Sequence, residues 1–235
     1  MHISGLQKLA MVDFPGKLAA TVFTGGCNLR CPFCHNALLV NRLAENPETH
    51  SVEEVLDFLK KRRGLLDGVV LSGGEPLMQN GAAEFLEQVR SLGFAVKLDT
   101  NGCYPEALEE ILKRKLVDYV AMDIKNSPSA YPATAGLACF DLSAIEKSIT
   151  YLASGAVAHE FRTTVVEPLH TESSIREMAD WILHLVPNKT EKLFIQPFAD
   201  RDSVPFSNLS APNGEVLAQY VEIAKQCARY VAIRG

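Results

Sequence analysis

The chain has 235 residues, 47% hydrophobic and 22% charged, which is ordinary for a globular protein with one sizeable core. A net charge of -5 argues against a general nucleic-acid binder, which would carry a basic excess. No run approaches the length of a membrane span, and Met1–Ala10 lacks the apolar core and cleavage site of a signal peptide. A cytoplasmic protein is therefore expected, with neither nucleic acid nor membrane as partner.

Residues 1–17 read as a short preamble containing an Asp13-Phe14-Pro15-Gly16 turn. No repeat, low-complexity tract or linker interrupts 18–235, which reads as a single domain. Leu18–Phe23 is a buried-strand candidate that delivers a loop with Cys27, Cys31 and Cys34. Ser51 and Glu54 form a capping box for a helix with Val52, Val55, Leu56 and Leu59 at helical spacing. Val69–Leu71 is a strand running into Ser72-Gly73-Gly74-Glu75-Pro76, and a helix over Ala82–Leu92 is stopped by Gly93. Phe94–Leu98 is a strand ending in Asp99-Thr100-Asn101-Gly102, and Pro105 opens the next helix. Tyr119–Met122 leads into Asp123-Ile124-Lys125, and Ser143 with Glu146 suggests a second capping box. His159–Val166 is a strand followed by a helix bearing Ile175, Met178, Ile182 and Leu185. Leu193–Ile195 ends in Gln196-Pro197-Phe198, Asn213 can cap a last helix, and Val231–Ile233 can add an edge strand.

Six strand–helix units predict an α/β fold with a parallel sheet covered by helices. A closed eight-unit barrel typically needs about 250 residues, so a partial (β/α)6 TIM-type barrel fits the length better. A flat doubly wound sheet is the alternative, and periodicity does not separate the two.

The Cys-x-x-x-Cys-x-x-Cys run carries the most chemistry. In the cytoplasm clustered cysteines point to metal or redox chemistry rather than disulfides. Three thiolates this close can converge on one thiophilic centre. Zinc sites usually gather two separated pairs and ferredoxin clusters use four cysteines. Three without an obvious fourth suggest a 4Fe–4S cluster with one open iron, which takes a ligand from outside the protein. Two plainer readings stand beside it: a zinc site completed by His35, Cys103, Cys139 or Cys227, and three packed thiols. Further along, Glu75, Asp99, Asp123 and Lys125 lie at the ends of apolar strands. In parallel α/β folds those ends share one face, where ligands bind. Burying such charges without partners is costly, so mutual pairing around a ligand is expected. Arg162 would point to the same face by strand alternation, to meet a ligand carboxylate or to pair with Glu160 or Glu167.

The cysteine run resembles the cluster motif of the radical S-adenosylmethionine enzymes, in which S-adenosylmethionine chelates the fourth iron. Gly73-Gly74-Glu75-Pro76 is similar to their Gly-Gly-Glu-Pro motif, whose backbone and acidic group receive the ligand's ammonium. Glycine admits a close approach of the main chain and a carboxylate accepts a charged amine. A nearer resemblance, spanning most of the chain, is to the activating enzymes of glycyl-radical proteins. Cys31-Pro32-Phe33-Cys34-His35-Asn36 looks like their cluster loop, which implies that Phe33 lies against the adenine and includes His35 among the cofactor-contacting residues. Asp99-Thr100-Asn101-Gly102 and Asp123-Ile124-Lys125 look like two segments of pyruvate formate-lyase activase. There the second segment contacts S-adenosylmethionine, and both help to hold a monovalent cation. Where that enzyme has an adenine-contacting histidine this chain runs Gln196-Pro197-Phe198-Ala199, and Gln196 is the candidate substitute.

Short length, the Asp13-Phe14-Pro15-Gly16 opening and Glu160-Phe161-Arg162-Thr163-Thr164 look most like the anaerobic ribonucleoside-triphosphate reductase activating proteins of this type. That resemblance implies an oxygen-sensitive oxidoreductase that cleaves S-adenosylmethionine and makes a glycyl radical on a partner, the anaerobic ribonucleotide reductase. A flavodoxin or ferredoxin is the implied electron donor. A radical enzyme acting on a small molecule, as in modified-nucleoside or cofactor biosynthesis, is the alternative, and a zinc-stabilised binding module a more distant one.

Overall fold

The computed structural model describes residues 1–41, 50–201 and 203–235. In chain order the elements are β1 (Ile3–Ala10), β2 (Ala19–Thr24), α1 (Ala37–Asn41), α2 (Val52–Lys60), β3 (Gly68–Gly73), α3 (Ala82–Ser91), β4 (Ala95–Thr100), α4 (Pro105–Lys113), β5 (Tyr119–Asp123), α5 (Tyr131–Ala135), α6 (Ser143–Ala153), β6 (Ala158–Val165), α7 (Glu172–Leu185), β7 (Thr190–Pro197), α8 (Gly214–Ala224) and β8 (Ala228–Ile233). The strands follow sequence order in one eight-stranded sheet. Pairings β2–β3, β3–β4, β6–β7 and β7–β8 are parallel, and β1 is antiparallel to β2. This is an α/β domain of the partial TIM-barrel type, with the six expected strand–helix units present.

By contact density the chain forms two compact units. The first holds Met1–Asn28, Asn36–Thr100 and Glu106–Ala121. Its strands β2 and β3 are apolar on both faces, as helix-covered strands must be. At their amino ends Phe14, from the turn of the preamble, packs with Ala19, Val70 and Tyr119. The preamble is more than a lead-in, because Ile3–Ala10 pairs with β2. Ser51 and Glu54 make the expected capping box on α2. Asp118 ties α3 to β4, accepting from the Val96 N–H at 2.8 Å and from Arg90 at 2.9 Å.

The second unit holds Leu29–His35, Asn101–Pro105 and Met122–Gly235. Here β6, β7 and β8 carry the core residues Phe161, Val165, Leu193, Ile195 and Ala228, covered by Ile175, Met178 and Ile182 of α7 and Leu217 and Tyr220 of α8. Asn213 caps α8 as expected, accepting from the Val216 N–H at 3.0 Å. The second capping box is not formed. Ser143 is taken by Asp141, and Glu146 instead accepts the Trp181 indole N–H at 3.0 Å. No helix among the described residues is long and apolar enough to cross a membrane.

Candidate functional site

In the first unit, the segment before Cys27 and the Gly73-Gly74-Glu75 turn are stitched together. Gly73 lies beside Thr24 in the β2–β3 register. The Gly74 N–H donates to the Thr24 carbonyl at 2.9 Å, and the Glu75 N–H to the Gly26 carbonyl at 2.8 Å. The Asn36 side-chain amide donates to the Gly73 carbonyl at 2.9 Å, bringing the end of the cysteine motif to the same turn. A Cβ on Gly74 would overlap the Gly26 carbonyl. Glycine there serves close approach of two main chains. Glu75 is fully buried, and its Oε1 accepts from the Leu77 N–H at 3.0 Å and the Thr100 hydroxyl at 2.8 Å. Asp99 and Thr100 are the last residues of β4 itself rather than of a following turn. Asp99 accepts the Ser72 hydroxyl at 3.1 Å and the ammonium of Lys97, which is 2% exposed.

In the second unit, Cys31 and Cys34 bracket a tight turn closed by the Cys34 N–H donating to the Cys31 carbonyl at 3.2 Å. Phe33 between them is buried and meets the His170 ring edge-on at 6.3 Å. His35 stacks on Phe198 and its Nε2 lies 2.7 Å from the Ala199 carbonyl. A carbonyl only accepts, so Nε2 carries the proton, and burial lowers the ring's pKa despite that bond. Asp123 ends β5 and takes Arg162 at 2.8 Å and Lys125 at 3.1 Å. Arg162 thus pairs with Asp123, while Glu160 takes both terminal nitrogens of Arg234 at 2.6 and 3.0 Å. Gln196 lies in register with Thr164, partly buried near the end of β7.

The electrostatics follow from these contacts. Burial alone would raise the Asp123 pKa, but the Arg162 and Lys125 cations overcome it and hold the carboxyl down at about 2. Burial opposes the Lys125 charge too, and Asp123, with a smaller contribution from Cys31, outweighs it and raises that pKa. Asp123 thus gathers two cations, Lys125 and Arg162, of the charge that suits thiolates or a ligand carboxylate.

The expectation that the strand-end charges pair with one another is met for Asp123 and Lys125. Within the first unit, Glu75 takes the Thr100 hydroxyl and the Leu77 N–H, and Asp99 takes Ser72 and Lys97. Lys97 and His170 escaped the sequence reading. His170 is 2% exposed, with Nε2 2.8 Å from the Lys125 carbonyl and Nδ1 accepting from the Val166 N–H at 3.2 Å. Burial lowers its pKa, so the ring is a neutral brace under Lys125. A histidine five residues beyond a strand end was the only signal for it. Lys97, inside a strand, was legible only as a charge facing the wrong way.

All six cysteines are thiols, with no disulfide among them. Among the described residues no three His, Cys, Asp or Glu side chains converge as a ready metal cage. The ligand set therefore follows from the donors themselves: three thiols in one loop, without a carboxylate among them. These residues fit an iron–sulfur cluster and an amino-acid ligand. Comparison with known proteins agrees. Residues 21–139 match the Radical SAM superfamily. A candidate glycyl-radical enzyme activating enzyme of Methanocaldococcus jannaschii is 34% identical over 99% of this chain and 95% of its own. The pyruvate formate-lyase-activating enzyme of Clostridium pasteurianum is 36% identical over 53% of this chain and 52% of its own, about half the length of that relative. Among solved structures, a domain of a pyruvate-formate lyase-activating enzyme from Bacteroides vulgatus aligns with TM-score 0.58 and 20% identity over 72% of this chain and 99% of that one. Streptococcus suis SuiB bound to S-adenosylmethionine aligns with TM-score 0.66 and 16% identity over 89% of this chain and 48% of that one. The thiol run therefore holds a 4Fe–4S cluster that works with S-adenosylmethionine rather than a structural zinc, and the chain belongs to the radical SAM superfamily as an enzyme akin to the glycyl-radical enzyme activating enzymes.

Proposed function

We propose that this enzyme installs a glycyl radical on a partner protein, the anaerobic ribonucleotide reductase, in the cytoplasm, with a flavodoxin or ferredoxin as electron donor. The observation that carries the activase reading is similarity along 99% of the chain to a candidate glycyl-radical enzyme activating enzyme. The choice of reductase rests on the Asp13-Phe14-Pro15-Gly16 opening and the Glu160–Thr164 segment. When bound, the cluster and S-adenosylmethionine together supply one-electron cleavage of a sulfonium and abstraction of a hydrogen atom from carbon.

The chain's own residues hold and orient. Cys27, Cys31 and Cys34 ligate iron and leave one iron to the amino-acid end of S-adenosylmethionine. Gly73 and Gly74 bring main chain up to the ligand's ammonium, and Glu75, fixed by the Leu77 N–H and Thr100, sets the turn and its charge. Asp99 and Thr100 support that turn from the next strand. Lys125 and Arg162, aligned by Asp123, draw the ligand carboxylate and offset the charge of the thiolates. Phe33, His35 and Gln196 face the adenine side. A monovalent cation at Asp99 or Asp123 would compete with the built-in Lys97, Lys125 and Arg162 cations.

The test is electron paramagnetic resonance of anaerobically reconstituted protein with reductant, S-adenosylmethionine and the host's anaerobic ribonucleotide reductase. A glycyl-radical doublet on the reductase is the expected result. A reduced-cluster signal that responds to S-adenosylmethionine without any doublet would remove this partner and favour a small-molecule substrate.

A further inference from the structure

The turn from Gly74 to Gln79 grips the segment that leads into Cys27. Thr24, Gly25 and Gly26 are buried, so each of their carbonyls needs a donor. The main-chain N–H groups of Gly74 and Glu75 serve Thr24 and Gly26. The carbonyl between them takes a side chain instead, the Gln79 amide nitrogen donating to Gly25 at 2.6 Å. The oxygen of the same amide accepts from the His2 N–H at 3.1 Å, and the Gly25 N–H donates to the His2 carbonyl at 3.2 Å. Three bonds thus close a circuit through His2, Gly25 and Gln79. A Cβ on Gly25 would overlap the His2 imidazole and the Ser4 hydroxyl, so the start of the chain lies directly on this segment.

The circuit specifies glutamine. His2 presents a donor and Gly25 an acceptor, and at this length only a carboxamide answers both without a charge. Glutamate would keep the acceptor but set an oxygen against the Gly25 carbonyl, and methionine would keep the length and answer neither. Gln79 is itself fixed, its main-chain N–H donating to the Pro76 carbonyl at 3.0 Å and its carbonyl accepting from the Ala82 N–H at 3.3 Å. Partners behind a metal ligand orient it and raise its hold on the metal. We propose that Gln79 is a positioning residue for Cys27, whose amide locks the Gly25–Gly26 approach to the turn that carries Glu75. Cys27 is then presented to the cluster by a segment ordered beforehand. The inference rests on Cys27 being a cluster ligand. Of the three carbonyl contacts this is the one that a side-chain substitution removes, because the other two run from main chain to main chain.

The test compares Gln79→Met and Gln79→Glu with the unaltered full chain and with Gly93→Ala, a variant strained in the turn before β4. In cluster-free protein, amide hydrogen exchange across residues 24–27 should quicken roughly fivefold in both Gln79 variants, the effect of one net hydrogen bond. Gly93→Ala should leave exchange there unchanged. In cluster-loaded protein of equal iron and sulfide content, iron should pass to excess chelator, without air, roughly fivefold faster in both Gln79 variants and at the original rate in Gly93→Ala. Exchange and iron loss at the original rates in the Gln79 variants would overturn the inference. So would equal iron loss from Gly93→Ala, which would make the effect one of general stability. Iron kept by Gln79→Glu but lost from Gln79→Met would also overturn it, by assigning the effect to the His2 bond. If the unaltered chain assembles no 4Fe–4S cluster, the ligand assignment itself fails, and this role of Gln79 with it. If the variants load too little cluster to compare, the exchange measurement decides.

Discussion

At Gly74 one methyl group meets main chain rather than a flexible side chain, and the Gly26 carbonyl it would strike is already engaged by the Glu75 N–H. Gly74→Ala should therefore lower stability by about 1–3 kcal/mol in urea unfolding and weaken S-adenosylmethionine binding in calorimetry. Gly93→Ala is the control: at φ 91 with nothing near its Cβ, it should cost about 1–2 kcal/mol through backbone strain alone and leave ligand binding intact. Asp123 provides a pH signature. Its folded pKa of about 2 lies below the ordinary 3.8, so its stabilising contribution is complete above the ordinary value and is lost as pH falls through the folded one. That contribution is on the order of 2 kcal/mol, and Asp123→Asn should flatten the stability profile between pH 4 and about 2. A variant profile as steep as that of the unaltered chain would assign the acid sensitivity to other carboxylates. Asp123 and Lys125 were legible in sequence because charge at the end of an apolar strand is expensive. The pairing of Asp123 with Arg162 was not, since it depends on strand neighbours that sequence does not order.

Helices were legible where a side chain two or three residues away satisfies their first N–H groups, and illegible where another residue competes for the same role. The Ser143–Glu146 pattern has the spacing of a capping box, yet Asp141, closer and charged, takes the Ser143 N–H and hydroxyl. The Thr171–Ser174 pair looks weaker and forms the box at the start of α7. Thr171→Ala should thus cost about 1 kcal/mol in denaturant unfolding, and Ser143→Ala less than half of that. Equal effects would mean that the caps carry no differential stability. Strand β1 was missed for a related reason. Its Leu6-Gln7-Lys8-Leu9 segment is largely exposed and lacks the apolar run that marks the covered strands, and its pairing comes from β2 rather than from local preference. The strands β3, β4 and β7 extend two residues or so beyond their apolar runs, so that Gly73, Asp99, Thr100 and Gln196 are strand residues, Gly73 and Gln196 opposite Thr24 and Thr164 in the ladder.

Across the whole chain, the legible feature was the repetition of one rule: an apolar strand, then chemistry at its carboxyl end. Parallel order makes dispersed motifs share a face, so Cys27, Gly74, Asp99 and Asp123 could be related without any contact being known. The last strand has no such motif, and its attachment depended on a charge pair invisible at a separation of 74 residues. Glu160 is 0% exposed and binds Arg234 through both oxygens, while the Arg234 guanidinium lies over the Phe194 ring at 3.4 Å and the Arg234 main-chain N–H donates to the Ile195 carbonyl. Removing one member of a buried pair costs more than the pair contributes, because it leaves the other charge in a poor solvent. Arg234→Ala should accordingly lower global stability toward the low end of the ~3–5 kcal/mol range for such losses, because Arg234 is 35% exposed and water can enter its place. The double variant Glu160→Gln with Arg234→Met should recover most of it, and iron content after reconstitution should equal that of the unaltered chain in both. If Arg234→Ala unfolds at the original urea midpoint, Glu160 is served by its other contacts. If instead it loses iron at unchanged stability, the chain's end supports the cysteine loop more directly than its packing implies.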